Sequence, residues 1–297
     1  MSLISDSNYH YPRILTMQDI SCVGQCSLTV ALPILSACEI ETCVLPSAVL
    51  STHTSGFQNF TCHDLTDEIP AILRHWDSEN IRFDAIYTGY LANQKQIAQV
   101  LNIREICGTP DCKLIVDPAM ADHGALYPAF DTSHVSAMQE LCSHADFILP
   151  NLTEACLLTD TPYTETYTPD FITNILHQLK NLGTKNIILT GISYEASSTG
   201  VVIADHQEIQ YYKHQKIAQH CHGTGDIYAS VFTGAYLHGK NAYEAAKIAA
   251  DFTVSCIEKT KDDPDHWYGV KFELVLPELI RNIKKKERNK QTDESSS

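Results

Sequence analysis

The chain has 297 residues, 44% of them hydrophobic, which suffices for a large core of the ordinary globular kind. Its formal net charge of −15 argues against nucleic acid and anionic membrane as partners, and it obliges any anionic substrate to find local backbone donors or a metal. No apolar run is long enough to span a bilayer, and Met1-Ser2-Leu3-Ile4-Ser5-Asp6 lacks the basic-then-apolar pattern of a secretion signal, so the expected location is cytoplasmic.

Short apolar runs alternate with longer helical patterns from one end to the other. Residues 13–17 read as a first strand, and residues 24–37 as a helix with Leu28, Leu32 and Leu35 on one face. A strand over 42–50 is followed by a helix over 65–76, capped by Asp64 or Thr66. Residues 85–88 form a buried strand, 93–106 a helix and 114–116 a strand that ends at Asp117-Pro118. Residues 147–149 are a strand ending at Pro150-Asn151, 171–182 a helix and 186–190 a strand. Residues 200–204 and 208–212 form a hairpin joined through Asp205-His206-Gln207. Helices over 225–238, 242–257 and 272–283 complete the pattern. Such alternation implies an α/β fold, a central and mainly parallel sheet with helices on both faces, and ligands gathered at the C-terminal strand ends. The expected organisation is one domain over 1–297, with 1–12 and 284–297 as flexible ends and Lys284-Lys285-Lys286 as a solvated helix end. Eleven scattered cysteines without a CxxC pair read as reduced, mostly buried thiols rather than a zinc site.

The densest chemical signal is Cys221-His222-Gly223-Thr224-Gly225-Asp226, followed directly by an apolar helical run. Glycines let the backbone turn sharply and present bare N–H groups, and a helix starting there offers an anion site. An aspartate would repel an anion, but it has a use if it takes a proton from a hydroxyl while the backbone holds the phosphate under attack. The plain alternative makes Asp226 a helix N-cap. Polar residues also follow four predicted strand ends: Asp19, then Asp117 and Asp122, then Asn151 and Glu154, then Thr190. Each alone can be a cap or turn residue, and Asn151 can cap a helix over 152–158. Together at one sheet edge they supply hard oxygen ligands suited to Mg²⁺, directly or through water. There is no GxxxxGK[ST] loop, no GxGxxG after the first strand and no GxSxG elbow around Cys26-Ser27, which disfavours Walker-type phosphotransferases, nicotinamide enzymes and α/β-hydrolases.

Six segments in order, Thr16-Met17-Gln18-Asp19, Ser51-Thr52-His53-Thr54-Ser55-Gly56-Phe57, Tyr87-Thr88-Gly89-Tyr90, Val116-Asp117-Pro118-Ala119-Met120-Ala121-Asp122, Pro150-Asn151-Leu152-Thr153-Glu154 and Gly223-Thr224-Gly225-Asp226, resemble the pyridoxal/pyridoxamine kinase family of the ribokinase-like superfamily. The resemblance spans about 13–283. It implies ATP-dependent phosphorylation of the 5′-hydroxymethyl group of a B6 vitamer, with Asp226 as base and the N–H groups of Gly223, Thr224 and Gly225 as the anion hole. It further implies that Asn151 and Glu154 place Mg²⁺ largely through water, and that Asp117, Asp122 and Thr190 lie by the nucleotide phosphates and cations. Asp19, Thr54 and Tyr90 would contact the pyridine ring, with His53 close by. A homodimer and a helpful monovalent cation such as K⁺ belong to the same expectation. Three positions depart from the family pattern: Asp19 stands where many relatives have Ser, Thr52 where Asn often precedes the His-Thr pair, and Ala121 where Gly is usual. These touch the choice of vitamer more than the reaction. A hydroxymethylpyrimidine kinase, usually with Cys at the position of Asp226, is the nearest alternative, and a non-catalytic pyridoxal phosphate carrier or sensor is the more distant one.

Overall fold

The computed structural model describes residues 11–205, 208–218 and 221–285. The remainder of the two expected flexible ends, His206-Gln207 of the hairpin connection and Lys286 lie outside the described residues. Lys284 does not: it closes the last helix, and its Nζ is 2.6 Å from Glu39 Oε1.

Among the described residues nine strands form one sheet. In chain order they are β1 (Arg13–Ser21), β2 (Glu41–Leu50), β3 (Cys62–Asp64), β4 (Phe83–Thr88) and β5 (Gly108–Val116). A two-residue ribbon, β6 (Ala121–Asp122) and β7 (Ala125–Leu126), stands apart from the sheet. The sheet continues with β8 (Phe147–Ile148), β9 (Asn186–Glu195), β10 (Ser198–Ala204) and β11 (Ile209–Gln215). The spatial order is β11-β10-β9-β8-β5-β4-β1-β2-β3. The pairings from β2 through β1, β4, β5 and β8 to β9 are all parallel, while β3, β10 and β11 add antiparallel margins. The strand order reverses about β1, with β2 on one side and β4 on the other, and this is where an open α/β sheet leaves a ligand crevice.

Strand residues alternate between two cores, as a pleated sheet covered on both faces requires. Leu15 and Met17 of β1 join one core, and Ile14 joins the other. The first core packs α2 (Ile69–Ser78), α3 (Gln94–Cys107), α4 (Thr132–Ser143), α5 (Leu152–Leu158) and α6 (Pro169–Asn181). The second packs α1 (Leu28–Ala37), α7 (Thr224–Leu237), α8 (Ala242–Thr260) and α9 (Leu276–Lys284). Every residue of α7 from Ile227 to Ala235 is buried, so the catalytic-looking turn begins a central helix. All eleven cysteines are free, six of them buried.

Several boundaries differ from the sequence expectation for identifiable reasons. The helix expected over 24–37 starts at Leu28, because Gly24 and Ser27 take positive φ and form a turn. The helix expected from Leu65 starts at Ile69, where Pro70 fits a first turn that needs no N–H. Pro277 plays the same part in α9, leaving only a 3₁₀ turn at Phe272–Leu274. The helix α4 was not anticipated. It is capped by Asp131, whose carboxylate accepts from the N–H groups of Ser133 and His134. Two site residues also sit differently. Asp19 lies inside β1, beside a register break between Gln18 and Ile20, and Thr190 lies in the middle of β9.

Candidate active site

The turn into α7 carries the strongest geometry. Gly223 occupies the N-cap position in the left-handed region at φ 75°. A Cβ there would also lie 2.0 Å from the Gln25 carbonyl oxygen, so only glycine fits. No side chain caps α7, which disposes of the N-cap reading of Asp226 and leaves the first N–H groups of the helix to a ligand. Nothing lies within 4 Å of where a Cβ on Gly225 would be, so there is open room at the helix start. Asp226 stands in the first turn, half-buried. Burial pushes its carboxyl up to about 7, the Ser27 backbone N–H opposes that shift, and the charge of Asp19 adds to it. A carboxylate poised near neutrality is well matched to a general base.

A second carboxylate group faces this turn. Asp117 follows β5 directly, is buried, and accepts no hydrogen bond among the described residues. Burial first, then the charges of Glu154 and Asp226, hold it well above the usual carboxylate range. Glu154 is 3% exposed and pushed up to about 8, chiefly by burial. Asn151 and Glu154 form a capping box on α5: Asn151 Oδ1 accepts from the Glu154 N–H at 2.9 Å, and Glu154 Oε2 accepts from the Asn151 N–H at 2.9 Å. Glu154 Oε1 accepts from the Met120 N–H at 3.1 Å, which ties α5 to the loop after Asp117. Thr190 pairs with Asn151 in an isolated bridge, and its hydroxyl donates to the Pro150 carbonyl at 3.3 Å. Asp122 sits exposed on the β6–β7 ribbon next to His123. Burial first, then the charges of Glu154, Asp117, Asp122 and Asp226, raise the pKa of the Tyr127 phenol.

The third group lies at the end of β1. Asp19 is 5% exposed and accepts from Ser27 Oγ at 2.6 Å and Ser21 Oγ at 2.9 Å. Burial raises its pKa, and the two hydroxyls pull it back. Tyr90 is half-buried against Phe130, and burial followed by the charge of Asp19 pushes its phenol up to about 12. His53 is buried with both ring nitrogens engaged: Nδ1 accepts from the Ser55 N–H at 3.1 Å, and Nε2 lies 2.8 Å from the Tyr268 carbonyl. These partners place the proton on Nε2. These contacts hold the loop that carries Thr54, which is exposed. Gly24 lets the chain pass against this ring, since a Cβ there would lie 2.1 Å from His53 Cδ2.

Among the described residues no three His, Cys, Asp or Glu side chains converge to hold an ion by themselves. The donor set nevertheless fits Mg²⁺ in its usual manner, in which the ion keeps most of its waters and borrows phosphate oxygens. Asp117 supplies a buried carboxylate with unused lone pairs, whereas the lone pairs of Glu154 and Asn151 are partly committed to α5. Sequence reasoning passed over Ser21 and Ser27, which hold Asp19. A serine directly ahead of the apolar run Leu28–Ala37 is an N-cap signature that could have flagged Ser27.

A nearly parallel sheet, a glycine turn with an aspartate in its first helical turn and a carboxylate group nearby match the ribokinase-like class of small-molecule kinases. The sequence pattern of the phosphomethylpyrimidine kinase family matches residues 34–269. A Bacteroides thetaiotaomicron protein solved with pyridoxal, and provisionally called a phosphomethylpyrimidine kinase, superimposes with TM-score 0.85 at 36% identity over 91% of this chain and 96% of its own. Pyridoxal kinase from Lactobacillus plantarum superimposes with TM-score 0.85 at 31% identity over 92% and 98%. The hydroxymethylpyrimidine/phosphomethylpyrimidine kinase of Bacillus subtilis is 27% identical over 74% of this chain and 77% of its own. The chain belongs to the phosphomethylpyrimidine kinase family, and the resemblance to pyridoxal kinases noted in its sequence is borne out.

Proposed function

We propose that the protein transfers the γ-phosphoryl group of ATP to the 5′-hydroxymethyl group of pyridoxal, pyridoxamine or pyridoxine. The observation that carries this reading is Asp226, raised to about 7 in the first turn of an uncapped helix. In the reaction the hydroxyl oxygen bonds to the γ-phosphorus as its bond to the β-bridging oxygen breaks, ADP leaves, and the hydroxyl proton passes to Asp226. The N–H groups of Gly223, Thr224 and Gly225 meet the charge on the transferring group, and Thr190 contacts the nucleotide phosphates. Bound Mg²⁺ would supply charge neutralisation at those phosphates, with Asp117, Asn151, Glu154 and Asp122 holding it and its waters. Asp19 and Tyr90, steadied by the His53-Thr54 loop, orient the ring. The kinship with pyridoxal kinases supports a B6 vitamer. A homodimer, a cytoplasmic location and assistance by K⁺ are parts of the same reading.

The family match and the B. subtilis relative favour a second reading, hydroxymethylpyrimidine as the acceptor, since it too carries a hydroxymethyl group on a heteroaromatic ring. An ADP-release assay with Mg²⁺-ATP and each of pyridoxal, pyridoxamine, pyridoxine and hydroxymethylpyrimidine separates the two. Turnover with the B6 vitamers is the expected result. Turnover confined to hydroxymethylpyrimidine selects the second reading, and saturable vitamer binding without ADP release makes the protein a carrier or sensor.

A further inference from the structure

We infer that Ser27 is a positioning residue that links the substrate-reading carboxylate, Asp19, to the base, Asp226. The inference rests on the function proposed above. Ser27 occupies the N-cap position of α1 at φ 52° and ψ −131°. A side-chain-bearing residue rarely adopts this conformation, and such strain persists only where the surroundings over-determine it. The surroundings here do so. The Ser27 hydroxyl donates to Asp19 Oδ1 at 2.6 Å. The Ser27 backbone N–H favours the ionised form of the Asp226 carboxyl, against the larger effect of burial. The Ser27 carbonyl accepts from the Val30 and Ala31 N–H groups at 3.1 and 2.9 Å, which fixes the residue to the first turn of α1. Two residues earlier, the Gln25 carbonyl oxygen lies where a Cβ on Gly223 would be, so the same turn is the seat of the anion-hole glycine. Ser27 is 6% exposed, so water does not compete for its hydroxyl. One strained serine thus holds Asp19 through its hydroxyl, favours the charged form of Asp226 through its N–H, and belongs to the turn that seats Gly223.

The consequence is that the Ser27 hydroxyl acts through Asp19. Ser27→Ala removes the hydroxyl and keeps the Cβ. Ser27→Gly removes the hydroxyl and accepts the positive φ freely, so it isolates the hydroxyl even if the alanine variant folds poorly. Both variants should lower vitamer kcat/KM by roughly ten- to a hundredfold, the worth of a shielded hydrogen bond to a charged group. The KM for ATP should not move. In an Asp19→Asn background the same substitutions should cost less than about threefold, because the group they act through has already lost its charge. The acid limb of the vitamer kcat/KM–pH profile should also shift in Ser27→Gly and not in a surface control. Equal costs in the two backgrounds, or an unshifted limb with a normal thermal midpoint, would overturn the inference. Asp226→Asn measured alongside keeps the two questions apart. If that variant is fully active the proposed mechanism fails, whereas if it is inactive while Ser27→Gly behaves as wild type only the role of Ser27 fails.

Discussion

At the scale of single residues, Asp226 sets a conflict between activity and stability. Its carboxyl rises from an ordinary 3.8 to about 7 because burial disfavours the charge. A base must be deprotonated to act, so kcat/KM should climb with pH toward about 7 and level off above it. The stability effect has the opposite sign. Between 3.8 and about 7 the unfolded chain gives up the proton that the folded chain keeps, so stability falls as pH rises through that window and stays lower beyond it. Asp226→Asn should therefore lose turnover by about 10²–10⁴ while melting higher than wild type at pH 8 and nearly level with it at pH 4. A variant that keeps its kcat reduces Asp226 to a bystander. Asp19 governs a different property. Its carboxylate accepts from two serine hydroxyls, which help keep it charged despite burial. A charged acceptor favours a cationic donor such as the ammonium of pyridoxamine, which the aldehyde of pyridoxal cannot match. Asp19→Ser should lower kcat/KM for pyridoxamine by about ten- to a hundredfold and for pyridoxal by much less. Equal losses with both vitamers would show that Asp19 does not read the amine.

At the scale of elements, the N-terminus of α5 does two jobs with one pair of residues. Asn151 and Glu154 cap the helix for each other, and Glu154 also holds the loop after Asp117 through the Met120 N–H. Asn151→Ala should lower stability by about 1 kcal/mol as an ordinary cap does. Glu154→Gln replaces a carboxylate oxygen acceptor beside Asp117 with an amide that cannot ionise when the cation arrives, so it should raise the Mg²⁺ concentration for half-maximal rate while leaving vitamer KM nearly unchanged. An unaltered Mg²⁺ dependence with weakened vitamer binding would move Glu154 to the other end of the site. The capping role was legible in the chain, since an Asn with Glu three residues later before an apolar run is a start signal. So were the strands with clean apolar runs, such as Ile187-Ile188-Leu189, and the glycine turn at 223. The helix α4 was not, because Thr132, Ser133, His134 and Ser136 dilute its apolar face of Val135, Met138 and Leu141. The strain at Ser27 was invisible for a deeper reason. It depends on β1 and α7, about two hundred residues apart in the chain, meeting over one turn, and no local pattern encodes such a meeting.

At the scale of the molecule, a formal charge of −15, which already counts Asp117, Glu154 and Asp226, surrounds the site proposed to receive a polyphosphate, and burial raises the pKa of each of those three carboxyls. The donors proposed for the anion hole are backbone N–H groups of Gly223, Thr224 and Gly225, which act over hydrogen-bond distance and do not attract from afar. The long-range field should therefore oppose the approach of Mg²⁺-ATP, and salt should relieve that opposition, since the Debye length shrinks from roughly 20 Å at about 20 mM to roughly 7 Å at about 200 mM. The KM for Mg²⁺-ATP should fall by about twofold across that range, the reverse of an enzyme that steers its nucleotide with lysines. Choline chloride should vary the ionic strength while K⁺ and free Mg²⁺ are held constant, so that specific cation effects do not enter. The neutral or weakly charged vitamer serves as the internal control, and its KM should hardly change. A KM for Mg²⁺-ATP that rises steeply with choline chloride would mean that cationic side chains dominate the approach to the site, and the account of an anion hole built from Gly223, Thr224 and Gly225 alone would then fall.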